Sequence, residues 1–292
     1  MAGITDLQQQ VLNRVQMQAQ ALLTSSRHSL AARLETLGFQ NGLAMVQTIE
    51  QHLQQRSRLN THFSASSVVT MTESGRSSEI LNAWLHDTQY RNGFQTGGFG
   101  GDKNVVRRTI WENQLWQSAY ALGNCIDGSQ APKYAGLNII PQAGGLDDPP
   151  GEFAFGDCYL QLKQHMLECA TFCLGDSGAL LAMNLPFQLA TIDTISVALQ
   201  NTDSNMDDDD LCKLVIALSG ESESAHLEYQ IEAQIHSSIQ FSDDIASLHM
   251  PTKYQDAQDA HLIYRNNKAR QLARKYGWDL RRRLGRLFTL DP

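Results

Sequence analysis

Between residues 5 and 58 the chain has no proline and repeats its apolar residues in a helical period; directly afterwards it changes to short apolar runs between glycine-rich loops. That switch of period constrains the fold more than any single motif does. In the first stretch Leu12, Val15, Ala19, Leu22 and Leu23, then Leu30, Leu34 and Leu37, fall on one side of a helix, and Gly38 and Gly42 mark a break. Two or three amphipathic helices follow. The next segment, "THFSASSVVTMTESGR", is rich in β-branched and hydroxyl residues and suggests the first strand, while "SSEILNAWLHDTQYRN" reads as a helix capped by Ser77 or Ser78. "AGLNIIP", "DCYLQLK", "LCKLVIALS" and "LEYQIEAQI" read as strands of a mostly antiparallel sheet distributed through 66 to 241. The fold class is α+β, with a helical region over 1–60 and a second domain over 61–292.

Composition excludes several classes. No apolar run reaches the ~18 residues of a membrane span, and the N-terminus lacks a cationic stretch followed by an apolar signal core, so neither a membrane partner nor a Sec-type exit is predicted. The five cysteines, Cys125, Cys158, Cys169, Cys173 and Cys212, have no paired CxxC spacing, which predicts reduced, mostly core thiols and no metal site. The net charge of −8 is unevenly spread: nine Lys or Arg lie between Arg265 and Arg286 against the single acid Asp279. A basic helix can bind nucleic acid, but with an acidic body and no base-stacking motif a solvated amphipathic helix is the expectation, and no nucleic-acid partner. Asp207 to Asp210 lack the alternating spacing of a calcium loop and read as a solvated loop.

Gly175-Asp176-Ser177-Gly178 has the letters that surround a trypsin-like serine nucleophile. Such an enzyme needs a histidine in an Ala-Ala-His-Cys-like context upstream, which none of His28, His52, His62, His86 and His165 has. The Asp-x-x-His of GDS-type esterases is missing too, since Gln258 stands three before His261, and the glycines are at the wrong offsets for a G-x-S-x-G elbow. A turn between strands is the expected role.

A different row carries chemistry. In "EYQIEAQIH" the residues Glu228, Gln230, Glu232, Gln234 and His236 share one side of a strand, because strand side chains alternate with period two. Gln230-Ile231-Glu232 has the Gln/Glu-x-Glu form of ADP-ribosyltransferases. Cleavage of the N-glycosidic bond of NAD⁺ develops an oxocarbenium ion, so a fixed carboxylate beside the ribose lowers the barrier, and a residue two earlier on the same face can position the acceptor. Polar alternation on a half-exposed strand gives the same letters. Arg76, between the first strand and a helix, can fork onto a phosphate. In "YRNGFQTGGFGGD" a second cation, Arg91, joins an aromatic surface, Phe94, a hydroxyl, Thr96, and close-approaching glycine amides. Surface ion pairs for the arginines, core packing for Phe94 and a turn hydroxyl for Thr96 are the competing roles.

The succession "YRNGFQTG", "GGDKNVVRRTIWENQLW", "PKYAGLNI", "FGDCYLQLK", "ATFCLGDSGA", "YQIEAQIH" and "ARQLARKYGWDL" resembles a bacterial domain family that includes the CteC-type effectors, ADP-ribosyltransferases that modify ubiquitin on threonine. The resemblance covers about residues 60 to 285. It implies split antiparallel β-sheets of ADP-ribosyltransferase type, NAD⁺ as substrate without a metal, and ubiquitin as partner. It further implies a protein made in the bacterial cytoplasm and delivered to a host cytosol. On those blocks it makes Glu232 the catalytic glutamate with Gln230 beside it, Arg76 and Arg91 NAD-site arginines, and "PKYAGLNI" the strand standing in for a Ser-Thr-Ser element, with Asn138 near the cofactor. An NAD glycohydrolase, or an interaction protein without catalysis, are the other readings of these residues.

Overall fold

A computed structural model describes residues 3–71, 74–96, 102–139, 156–200, 208–219, 231–254 and 258–283. Helix α1 (Asp6–Thr36) starts at Thr5, whose hydroxyl accepts from the Gln8 amide while the Gln8 side chain accepts from Thr5. It ends before Gly38, whose φ of 94° lies in the left-handed region. Helix α2 (Gly42–Arg56) begins on a glycine for a reason of space, since a Cβ on Gly42 would stand 2.2 Å from the Ala31 carbonyl oxygen. The two helices match the expected break. Of the residues predicted for that apolar side, Leu12, Val15, Ala19, Leu23, Leu30 and Leu34 are buried, Leu37, just past the helix, is half-buried, and Leu22 is exposed.

The strands are β1 (Arg58–Phe63), β2 (Val68–Thr70), β3 (Ser77–Glu79), β4 (Gln89–Tyr90), β5 (Ala121–Leu122), β6 (Cys125–Ile126) and β7 (Lys133–Asn138). They continue with β8 (Cys158–Leu162), β9 (Ala170–Leu174), β10 (Ala190–Thr191), β11 (Ile231–Ile235), β12 (Ile239–Gln240), β13 (Ile245–Pro251) and β14 (Asp279–Arg283). Eight of them form one sheet in the order β10-β9-β11-β7-β1-β8-β13-β14, antiparallel except between β13 and β14. The architecture is mixed α+β.

Where two split sheets were expected, eight of the described strands make one connected sheet beside three two-stranded ones, β12-β4, β2-β3 and β5-β6, and what joins the eight lies in β1. Its first half, Arg58 to Asn60, pairs with β7; its second half, Asn60 to Phe63, pairs with β8; Asn60 alone is registered to both, opposite Gly136 and Gln161. The β7 and β8 sides of the sheet are thus joined through Asn60, and on either side of it β1 is registered to one of the two strands alone.

Directly opposed residues share a face, so the register divides the sheet chemically. One face carries Phe172, Ala233, Ala135, Leu137, Leu59, Leu160 and Leu248, which form a single hydrophobic cluster with Leu23, Leu34, Ile49 and Leu53 of α1 and α2. The other face is polar yet buried. One row across it runs Cys173, Glu232, Gly136, Asn60, Gln161, Ser247; the next holds Thr171, Gln234 and Tyr134, then His62, Tyr159 and His249.

The remaining helices are α3 (Ile80–Trp84), α4 (Gly93–Thr96), α5 (Asp102–Trp116), α6 (Ser177–Ala182), α7 (Ile195–Leu199), α8 (Asp208–Ser219) and α9 (Ala260–Tyr276). Several expectations are corrected here. Ser77 and Ser78 are strand, paired with β2, and α3 starts only after Glu79. The run "LCKLVIALS" and Asp208 to Asp210 before it form α8, not a strand and loop, while Asp207 lies outside the described residues; acidic residues suit the first turn of a helix, and a short apolar run does not distinguish strand from helix by period. The sheet starts at Arg58 and ends at Arg283, because the basic C-terminal segment contributes both α9 and β14. Cys158, Cys169 and Cys173 are buried free thiols.

Candidate active site

Glu232 projects from β11 into a cavity of about 60 Å³ lined by Asn60, His62, Tyr134, Gly136 and Asp176. Its residue is 9% exposed. Gln234 Nε2 donates to Glu232 Oε1 over 2.7 Å, and the backbone amide of Ser177 reaches the same oxygen at 3.4 Å. Burial pushes the Glu232 carboxyl up to about 7; the Asp176 charge adds to the rise, while the Ser177 and Gln234 hydrogen bonds and the Arg108 charge oppose it. A buried carboxyl poised near neutrality at a cavity wall suits proton transfer or stabilisation of a positive centre.

Behind Glu232 a chain of hydrogen bonds crosses the polar face. An ionised carboxylate only accepts, so the Gln234 amide must present its nitrogen to Glu232 and its oxygen to Thr171. Thr171 Oγ1 accordingly donates to Gln234 Oε1 at 2.8 Å, His236 Nε2 donates to Thr171 Oγ1 at 3.0 Å, and Tyr120 donates its hydroxyl to His236 Nδ1 at 2.6 Å. Every donor points towards Glu232. Burial, then the charges of Lys133 and Arg14, hold His236 down at about 3, so the ring is neutral and has one proton to give.

A second buried acid, Glu112, is tied to the cavity wall through Tyr134. Glu112 of α5 accepts from Arg108 Nε at 2.9 Å, from the Tyr134 hydroxyl at 2.8 Å and from Trp116 Nε1 at 2.8 Å, and the Arg108 guanidinium stacks on the Tyr134 ring at 4.0 Å. Burial works against the Arg108 charge, but Tyr134, Glu112 and Glu232 outweigh it and keep the guanidinium protonated. Tyr134 is held rigidly at the cavity wall, its hydroxyl spoken for and its ring clamped.

Ser177 is not presented as a nucleophile. Gly175, with φ of 87°, turns the chain out of β9, and Asp176 caps α6 by accepting from the amides of Gly178 and Ala179 at 2.8 and 3.1 Å. The expected turn between strands is therefore a strand-to-helix turn, because Asp176 serves as an N-cap. Ser177 is 1% exposed.

A larger cavity of about 450 Å³ is lined by Trp84, Asp87, Tyr90, Arg91, Thr96 and Gly156 among others, and His62 lines both it and the smaller one. Its volume falls in the roughly 300–1,000 Å³ range of small-molecule sites. Arg91 is paired there to Asp87 at 2.8 Å and donates to the Thr70 carbonyl at 2.7 Å.

Glu232 thus lines the inner cavity, and Arg91 and Thr96 the outer one. Phe94 packs against the cluster of Val11, Val15 and Trp116, and its side chain serves that packing. Arg76 is exposed in the turn between β2 and β3, and Asn138 is buried at the end of β7 opposite Arg58; neither lines either cavity. Gln230 lies outside the described residues. Asn60, His62, Tyr134, Arg108 and Asp176 escaped the sequence reading. For Asn60 and His62 a signal existed, two polar residues at period two in "RLNTHF".

Among the described residues no group of three His, Cys, Asp or Glu side chains could hold a metal, and no helix is long and apolar enough to cross a membrane. Comparison with curated proteins finds no match. Residues 58–207, just over half of the chain, contain Asn60, His62, Tyr134 and Asp176 and stop short of Glu232; over them the sequence matches the family described as protein of unknown function (DUF3626), and the chain belongs to that family.

Proposed function

We propose that the protein is an NAD⁺-dependent mono-ADP-ribosyltransferase with Glu232 as its catalytic carboxylate, acting on a protein hydroxyl, a threonine of ubiquitin. The observation that carries this reading is a buried carboxyl, pushed up to about 7, in a small cavity that shares the wall residue His62 with a cavity of about 450 Å³. The resemblance of seven sequence blocks to CteC-type effectors supports the same chemistry, and it alone suggests ubiquitin and delivery into a host cytosol.

The residues fit NAD⁺ in a defined way. Arg91 offers a guanidinium for a phosphate, and its partner Asp87 offers a carboxylate for ribose hydroxyls. Positive charge at the nicotinamide ribose draws Glu232 into its ionised form, and the carboxylate lowers the energy of the developing cation. The bond from ribose C1′ to nicotinamide nitrogen breaks with its electron pair leaving on nicotinamide. The acceptor oxygen then bonds C1′, and its proton passes to Glu232 and on to solvent. Gln230, two residues before Glu232, orients the acceptor hydroxyl.

Incubation with labelled NAD⁺, with and without ubiquitin, tests the reading. Label on a ubiquitin threonine, lost in Glu232→Gln and depressed more than NAD⁺ hydrolysis in Gln230→Ala, is the expected result. Label only as free ADP-ribose would make the protein a glycohydrolase, and intact NAD⁺ would overturn the proposal.

A further inference from the structure

Asn60 is fully buried, and neither Nδ2 nor Oδ1 of its side chain has a hydrogen-bond partner among the described residues. Buried polar atoms are paired in folded proteins as a rule, since an unmet donor or acceptor loses its water for nothing. Here a donor and an acceptor on one planar group are both unmet, and Asn60 lines the cavity that contains Glu232. Its place in the fold explains the vacancy. Asn60 stands where β1 passes from β7 to β8, and in the row across the sheet the residue between it and Glu232 is Gly136, which has no side chain to fill the gap. On the far side its cross-strand neighbour Gln161 is also buried and also has an unpartnered Nε2.

We infer that Asn60 is the ligand-reading residue of the Glu232 cavity and that it takes an uncharged primary amide, through paired hydrogen bonds from Asn60 Nδ2 to the ligand carbonyl and from the ligand NH₂ to Asn60 Oδ1. The chemistry of the wall selects that class. Glu232 and Asp176 line the same cavity, which disfavours a carboxylate, and a hydroxyl cannot span both amide atoms in one plane. The space of about 60 Å³ admits a group of carboxamide size, and His62 is common to its wall and that of the larger cavity, on which side the rest of the ligand would lie. The inference rests on the proposed NAD⁺ reading only for the identity of the amide, the carboxamide of nicotinamide.

The test is calorimetric titration of the full-length protein with nicotinamide and with 3-acetylpyridine, a neutral isostere in which a methyl group replaces the NH₂, so that repulsion by Glu232 and Asp176 does not enter. Nicotinamide should bind tighter by on the order of tenfold or more, and Asn60→Ala should abolish that preference. Asn60→Leu keeps the branched shape and removes both unmet atoms, so it should melt at the same or a higher temperature while losing nicotinamide binding. Equal affinities, no binding of either compound, or a preference that survives both variants would overturn the inference. Turnover of NAD⁺ with undiminished nicotinamide inhibition in Asn60→Ala would remove this inference and leave the proposed function standing. An Asn60-dependent preference for nicotinamide in a protein that consumes no NAD⁺ would do the reverse.

Discussion

The amide nitrogen of Gln234 stands 2.7 Å from Glu232 Oε1, two residues apart on one strand face, and so ties the carboxylate to the chain of donors that runs through Thr171 and His236 to Tyr120. The candidate catalytic group is held by the sheet itself.

Replacing Glu232 by Gln should lower NAD⁺ turnover on the order of 10²-fold or more while leaving NAD⁺ affinity comparatively intact, because the carboxylate acts on charge that develops in the transition state. Its stability has the opposite sign. The folded carboxyl titrates at about 7 against an ordinary 4.5, so the native state holds a proton that the unfolded chain has released between those values. That contribution is complete below 4.5 and is lost as pH rises through 7, a loss of up to about 3 kcal/mol. Urea unfolding at pH 5 and pH 8 should show this fall in the parent protein and a flatter profile in Glu232→Gln; parallel profiles would contradict it.

Thr171→Val removes the hydroxyl that fixes the Gln234 amide. An ionised Glu232 still draws the amide nitrogen, but the freed amide can turn its oxygen to a protonated carboxyl without reversing Thr171 and His236, so the Glu232 carboxyl should titrate higher than in the parent protein. Infrared difference titration of the carboxyl band reads this without any activity. The variant should also lose about 1–3 kcal/mol of stability, since His236 Nε2 and Gln234 Oε1 are left unmet.

His236 gives the chain a measurable sense. Once Glu232 is protonated it can donate, Gln234 can turn over, and the imidazole proton moves from Nε2 to Nδ1. Nitrogen-15 spectra of the ring should therefore show an exchange of tautomers as pH falls through about 7, with the ring still neutral. Because its folded value of about 3 lies below the ordinary 6.5, its contribution to stability is present above 6.5 and declines as pH falls towards 3. His236→Asn should be less acid-sensitive across that window.

Ser177 should not react with fluorophosphonate probes, and Ser177→Ala should keep substantial transferase activity, because the buried residue meets Glu232 through its backbone amide, which alanine retains. Probe labelling lost in the alanine variant would restore a hydrolase reading.

Arg91→Ala should raise KM for NAD⁺ on the order of tenfold with a smaller effect on kcat, as removal of a ground-state phosphate contact does. It also leaves the buried Asp87 carboxylate without its 2.8 Å partner, so a lower melting temperature should accompany it, and Arg91→Lys should restore only part of either.

The sequence by itself determined what depends on neighbours along the chain. The period of Leu12 to Leu34 made α1, the glycines after Thr36 ended it, and alternation in "IEAQIH" put Glu232, Gln234 and His236 on one side. Only the tertiary structure decided which side was buried and what faced it. A strand's register is set by partners far away in the chain: Asn60 comes to share a cavity with Glu232 because β7 stands between them with Gly136 in register with both. The polar row in β11 looks like a solvated edge until β9 and β7 flank it and α5 contributes Trp116, packed on His236 with ring centroids 4.6 Å apart. Arg76 and Arg91 are alike as letters, and the fold separates them. One is left exposed in a hairpin turn; the other is locked to Asp87 at the wall of the larger cavity, since burial of a guanidinium demands a partner that only folding can bring.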